Sequence, residues 1–175
     1  MGKTPVPLPL TCNNDALRKA TRRLGQLFDD ILQPSGLRAT QSGLLRHIKQ
    51  LNGPTMTQLA DELVMDLSAL GHTLKPLARD GYITLTPDAR DRRAKRVKLT
   101  ASGEAKVAET ELLWRIAQTR FEAAFGQRKA EKFRKTLALL ASSDFTEAFH
   151  TATKINRKRH APGSGGKAET VKTSI

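Results

Sequence analysis

The chain has 175 residues, with 30 Lys plus Arg against 17 Asp plus Glu, a net charge of +13, and only 5 % aromatic residues. The length suits one domain with an appendage, and the low aromatic content demands a mostly aliphatic core. So large a basic excess predicts a polyanionic partner and argues against an indifferent cytosolic enzyme. The single cysteine, Cys12, excludes an internal disulfide and a Cys-rich zinc site. The longest aliphatic run, Leu137 to Ala141, is too short to span a bilayer, and the first eleven residues lack the apolar stretch of a secretory signal. A cytoplasmic protein with no membrane partner is expected. No ligand set for a metal and no cofactor motif is apparent, so none is expected.

Residues 1–12, with Pro5, Pro7 and Pro9, read as a flexible N-terminal segment. From Ala16 to Gln33, Leu17, Leu24, Leu27, Phe28, Ile31 and Leu32 recur at helical spacing. Pro34, Ser35 and Gly36 stop that helix. A second helix is predicted over Thr40 to Leu51, with Thr40 as its N-cap and Leu44, Leu45 and Ile48 inward. A short helix from Met56 to Leu63, capped by Thr55, precedes a turn at Val64 to Asp66. A further helix then runs to about Asp80, and the pair is a helix-turn-helix candidate.

Tyr82 to Thr86 and Ala94 to Leu99 alternate as strands, with Pro87, Asp88 and Ala89 between them as a turn. The segment Asp88 to Lys98 holds six basic residues and two acids, which makes a hairpin with a charged tip. Helix-turn-helix followed at once by a basic hairpin is a winged helix. Thr100 is expected to cap a long helix to about Ala124, with Ala105, Ala108, Leu112, Ile116, Phe121 and Ala124 on one face. Gly126 breaks it, and Phe133, Leu137 and Leu140 form the stripe of a last helical region, resumed at Phe145 to Phe149. The predicted fold is therefore mainly α with a small β-hairpin wing. A winged helix-turn-helix at about 38–100 lies between N- and C-terminal dimerisation helices, within a domain of 13–153. Residues 154–175, with a net charge of +5 and few apolar side chains, read as a disordered basic tail.

Leu63, Leu67, Leu70, Leu74 and Leu77 form an apolar seam at spacings of four, three, four and three. At about 100° per residue, Ser68, His72, Lys75 and Arg79 fall opposite it. Such a helix suits the major groove of DNA, which admits one helix and presents donors and acceptors. Ser68, Ala69, Gly71 and His72 lie early, where base edges are met; Ala69 and Gly71 permit close approach. Lys75 and Arg79 lie later and suit phosphates. Pro76 predicts a kink or an early loosening of the last turn of this helix.

The wing reads Asp88-Ala89-Arg90-Asp91-Arg92-Arg93, followed by Leu99-Thr100-Ala101-Ser102-Gly103. With Gly81-Tyr82-Ile83 ahead of it, this resembles the MarR family of bacterial transcriptional regulators, over roughly residues 15 to 145. The family's wing carries Asp-x-Arg-x-x-Arg, then Leu-Thr-x-x-Gly opening the next helix. The resemblance implies a homodimeric winged-helix repressor on double-stranded DNA with a pseudo-palindromic operator, and no enzyme. Arg90, and then Arg93, are expected at the wing tip, where a narrow minor groove attracts arginine; Arg92 adds charge, and Asp91 is expected to orient an arginine. The resemblance also implies a pocket for a phenolic or other anionic effector, with Arg38, His47 and Trp114 as candidate linings. Some peroxide sensors of this family carry their reactive cysteine at the start of the first helix. Cys12 stands in that position, where the helix dipole favours a thiolate, and is the redox candidate. The competing reading is an architectural or RNA-binding basic protein without sequence specificity; the scarcity of aromatic stacking groups speaks against RNA.

Overall fold

The computed structural model describes residues 12–159, with side chains through residue 152. The expectations for residues 1–11 and 160–175 lie outside the described residues. The chain divides into two compact units, Met1–Gln127 and Arg128–Ile175.

In the first unit, α1 spans Asn13–Leu32 and ends in a 3-10 turn, Gln33–Ser35. The α2 helix spans Ala39–Gln50, α3 Met56–Glu62 and α4 Leu67–Arg79. Strands β1 (Ile83–Pro87) and β2 (Lys95–Leu99) pair antiparallel, with Ile83 opposite Leu99, Leu85 opposite Val97 and Pro87 opposite Lys95. The α5 helix covers Ala101–Phe125. The order is that of a winged helix with a long helix on either side, as expected from the sequence.

The core is aliphatic. Leu37, Leu44, Leu45, Ile48, Leu59, Ala60, Leu70, Leu74, Leu77, Ile83, Val97 and Val107 form one buried cluster. Met56, Leu63, Met65, Tyr82 and Leu99 close its edges. Thr55 caps α3 as predicted: its Oγ1 accepts from the Gln58 amide at 3.2 Å, and Gln58 Oε1 accepts from the Thr55 amide at 2.9 Å. The α2 start differs from expectation. The N-cap is Arg38 rather than Thr40, and the orphan amide of Ala39 donates to Asp29 Oδ1 on α1 at 2.7 Å. Gln41 Oε1 accepts from the Arg38 amide at 3.0 Å as a local cap, whereas the partner of the Ala39 amide comes from another helix, of which the local sequence carries no sign. Pro76 neither ends nor shortens α4, which runs three residues past it to Arg79.

Two apolar stripes need correction. In α5 the buried positions are Gly103, Val107, Thr110 and Ala117. Ala105, Ala108, Leu112 and Ile116 lie on the other side, and Leu112 is 65 % exposed. Phe121 belongs with the inward face, half-buried beside α1. The helix is apolar on two sides, and an alanine-rich face competes with a valine-threonine one. Thr110 tolerates burial because its Oγ1 donates back to the Lys106 carbonyl at 3.0 Å. In α1, only Leu32 is fully buried, while Leu17 and Leu27 are exposed.

The junction between wing and α5 is closely packed around Gly103. Thr100 Oγ1 donates to the Gly81 carbonyl at 2.6 Å and accepts from the Gly103 amide at 3.0 Å. The Thr100 amide donates to the Tyr82 carbonyl at 3.0 Å. A Cβ on Gly103 would stand 2.0 Å from that same Tyr82 oxygen. Threonine and glycine three residues apart are therefore both required, one to cap and one to leave room. Lys106 braces the junction from the side: its Nζ reaches the Ser35 carbonyl at 3.1 Å and Glu109 Oε2 at 2.7 Å, and lies 5.7 Å from the centre of the Tyr82 ring.

The second unit holds α6, which begins at the boundary and spans Gln127–Leu140, and α7, Ser143–Arg159. Phe133, Leu137 and Phe145 are half-buried, while Leu139, Leu140 and Phe149 are exposed. Helix α7 continues past Lys154, so the segment expected to be disordered is helical as far as Arg159.

Gly103→Ala must push a methyl against a backbone carbonyl that is itself hydrogen-bonded. A loss of about 1–3 kcal/mol of stability, the usual cost of overpacking, is expected in urea denaturation. Gly43→Ala is the control: a Cβ there meets nothing within 4 Å, and its stability should hold or rise.

Candidate nucleic-acid interface

Helix α4 is placed by its buried side. Leu70, Leu74 and Leu77 are at most 1 % exposed and anchor it to the core. Asp66 starts it: Oδ1 accepts from the Ala69 amide at 2.7 Å. With one side anchored, Ser68, His72, Lys75 and Arg79 are presented outward, all exposed, as the spacing predicted. Ala69 and Gly71 are half-buried on the flanks, and a Cβ at Gly71 would meet nothing within 4 Å. Arg79 Nε donates to Asp80 Oδ1 at 2.9 Å, an exposed pair of neighbours of the kind that contributes little in water. The predicted five-leucine seam is shorter than expected. Leu63 caps the end of α3, and Leu67, the first residue of α4, is 52 % exposed.

The wing is held by Asp88, whose side chain is nearly buried at the root of the tip. Its Oδ1 accepts from the amides of Arg90 and Asp91 at 2.8 and 3.0 Å. Its Oδ2 accepts from Arg96 Nε at 2.5 Å, and Arg96 Nη1 donates onward to the Gly53 carbonyl at 2.6 Å. The Val97 amide donates to the Pro54 carbonyl at 2.9 Å, so β2 is also sewn to the loop between α2 and α3. The two backbone donors, and then Arg96, hold the Asp88 carboxyl below its ordinary range against some desolvation. Asp88 thus orients the arginine, on Arg96, where Asp91 was expected to do so. The Asp91 carboxylate instead accepts from the Arg93 amide at 2.9 Å and tightens the turn. The pair was missed because its members are eight residues apart and meet only in the hairpin register.

Arg90, Arg92 and Arg93 are exposed around this frame and form no ion pair among the described residues. Three free cations therefore sit on a backbone held by the carboxylates of Asp88 and Asp91, an arrangement that attracts a polyanion.

The three residues expected in an effector pocket do not come together. Arg38 is exposed at the start of α2, on a shallow cleft beside Asp29 and Gly36. His47 Nδ1 lies 3.9 Å from Glu62 Oε1 and faces α3. Trp114 lies under the Arg46 guanidinium, 4.3 Å from the ring centre, in a narrow crevice with Ser42 and Thr110. Burial pulls the Arg46 guanidinium below its ordinary value, with Glu111 working the other way. The sequence showed polar and aromatic types at these positions but not which helix face each occupies. A separate cavity of about 330 Å³ opens between α1 and α5, walled by Leu24, Leu27, Phe28, Ile31, Ala117 and Phe121. Asp30 and Arg120 stand at its rim. Cys12 is the N-cap residue of α1, exposed, with no side-chain capping bond.

Comparison with known proteins agrees with this geometry. The sequence profile of the MarR family matches residues 35–94. The transcriptional regulator MosR of M. tuberculosis, solved in complex with DNA, is 34 % identical, with 78 % of this chain and 97 % of that one covered at a TM-score of 0.69. The chain belongs to the MarR family. Two further structures share the fold. The transcriptional repressor CouR, bound to a 23-mer DNA duplex, is 22 % identical, with 78 % and 100 % of the two chains covered and a TM-score of 0.69. BpsR of Bordetella bronchiseptica, whose DNA binding is regulated by 6-hydroxynicotinic acid, is 17 % identical, with 79 % and 99 % covered and a TM-score of 0.69. The MarR-family region includes the helix-turn-helix and most of the wing tip, the same parts that the exposed cations occupy.

Asp88→Ala should free the wing tip. The Arg90 and Asp91 amides are then expected to exchange hydrogen near the rate of an open loop, while amides of α4 keep their protection. The same tie depends on pH. The folded carboxyl titrates below the unfolded one, so its contribution is complete above the ordinary carboxylate range and is lost as pH falls through the folded value. Tip protection, corrected for intrinsic exchange, should therefore be level near neutrality and fall only in acid.

Proposed function

We propose that this MarR-family protein is a sequence-specific, double-stranded DNA-binding transcriptional repressor that acts as a homodimer. The observation that carries the reading is the joint exposure of Ser68, His72, Lys75 and Arg79 on α4 and of the unpaired Arg90, Arg92 and Arg93 on the wing. The α4 set faces a major groove. The wing arginines reach a neighbouring minor groove, where narrowing concentrates negative potential. Exposed apolar side chains on the helices outside the winged helix, Leu17, Leu112 and Ile116, support a second copy of the chain as their cover. In such a dimer two recognition helices meet successive major grooves of a pseudo-palindrome.

Release of DNA is read as the work of a small anionic effector or of oxidation at Cys12. The α1–α5 cavity suits the first better than Arg38, His47 and Trp114, because its walls are apolar and Arg120 stands at its rim. For the second, a hydroperoxide is the oxidant. The Cys12 thiolate sulfur takes one peroxide oxygen, the O–O bond breaks, and hydroxide or alkoxide leaves with the electron pair, giving a sulfenic acid. Peroxide should then release DNA from the native protein and not from Cys12→Ser. Equal behaviour of the two would leave the effector as the route.

Selection from a random duplex pool, followed by footprinting upstream of the protein's own gene, tests the central reading. One symmetric site and preference for duplex over single-stranded RNA are expected; uniform coating of any nucleic acid would overturn it. On the selected site, log affinity should fall against log salt by about 0.9 for each phosphate contacted. Lys75→Ala should lower that slope by about 1 per protomer and weaken all sequences alike. His72→Ala should relax base preference at one position per half-site.

A further inference from the structure

Two aliphatic side chains at the leading end of the recognition helix lie more than half in water. Leu67 is 52 % exposed, although the next three leucines of α4 are buried. Val64, in the turn just before, is 71 % exposed and has φ +52°, a region that a β-branched residue seldom adopts. The turn itself does not need valine. Its hydrogen bonds, Val64 amide to Asp61 carbonyl at 3.2 Å and Met65 amide to Ala60 carbonyl at 2.9 Å, are made by backbone and would form with glycine or asparagine. Asp66 lies between the two residues, but its carboxylate is taken by the Ala69 amide. Gly71, one helical turn beyond Leu67, adds no side chain to that flank. The result is a small apolar edge beside Ser68 and His72, continuous with the face proposed above to meet DNA.

We infer that Leu67, assisted by Val64, is a specificity-determining residue that reads the C5-methyl groups of thymine in the major groove. The inference rests on the DNA reading and names what one part of that face recognises. Base edges in the major groove present polar donors and acceptors, and the thymine methyl is the apolar feature among them. An aliphatic side chain that enters the groove ahead of the helix finds one complementary partner there. The surroundings favour this occupant over an apolar protein surface. His72, Lys75 and Arg79 on the same helix and three free arginines on the wing suit a polyanion.

The test uses the full-length protein and a duplex selected from a random pool. Each thymine is replaced in turn by deoxyuracil, which removes the methyl and leaves every hydrogen-bonding group in place. The native protein is expected to lose about fourfold in affinity at one or two positions of each half-site, the worth of one buried methyl-sized group. Leu67→Ala should bind the thymine duplex about fourfold more weakly per half-site, about sixteenfold for the dimer, and show no further loss with deoxyuracil at those positions. Leu67→Met should retain the discrimination. An unchanged thermal midpoint in both variants shows that the fold is kept, as expected at an exposed position. The inference is overturned if Leu67→Ala keeps the native response to deoxyuracil, or if the native protein selects a site yet responds at no thymine. Should the native protein select no sequence at all, the DNA reading fails first and this inference falls with it.

Discussion

The orientation of α4 depends on one constraint: three leucines one helical turn apart must leave water together. Leu70, Leu74 and Leu77 fill the centre of the aliphatic cluster and fix the rotation of the helix about its own axis. Each such side chain contributes about 1.5–3 kcal/mol when fully buried. A rotation that exposed all three would remove a large share of a small domain's stability. The polar side follows from this without further design. Ser68, His72, Lys75 and Arg79 face outward because the leucines face inward. The chemistry available to a partner is set by packing on the opposite side.

The wing is positioned by different forces. Its strands are short, and a two-stranded hairpin alone is marginal in water. Val97 and Ile83 contribute two buried side chains, Leu99 packs at the edge of the core, and the further ties are polar. Thr100 ties the root to Gly81, and the Val97 amide ties β2 to Pro54. Lys106 bridges the turn after α1 to the region of Tyr82. The first closes the root of the hairpin, the second joins the wing to the loop before α3, and the third joins α5 to the turn after α1. Recognition helix and wing are thereby referred to the same core, and their spacing is a property of the fold.

Much of this could be read in the chain, where the cause was local. Thr55 and Gln58 announce α3, and Thr100 with Gly103 announces α5, because a cap and its partner are three residues apart. The hairpin was legible from alternation and from its turn. What was hidden depended on residues distant in sequence. Asp29 caps α2 from another helix, ten positions away. Asp88 finds Arg96 through a strand register that no local pattern states. Leu67 continued the leucine spacing perfectly, yet the helix begins there, and no preceding turn covers its side chain. In α5, alanines made both faces look apolar, and only the packed structure separated Val107 and Ala117 from Leu112 and Ile116. Arg38, His47 and Trp114 were chosen by type, and they lie in separate surroundings because type does not reveal which way a helix turns its side chain.

Asp88 has a consequence for the thermodynamics of association. A free basic loop that closes on a polyanion must surrender backbone entropy at the moment of contact, about 1–2 kcal/mol for each residue it freezes. Here the amides of Arg90 and Asp91 are already held by a carboxylate, and Asp91 holds that of Arg93. Much of the backbone ordering of the tip therefore belongs to folding, leaving mainly the rotamers of three arginines to be ordered on docking. A tip built this way favours slow dissociation over a wide capture radius, and the search for a target falls to the protein's long-range charge.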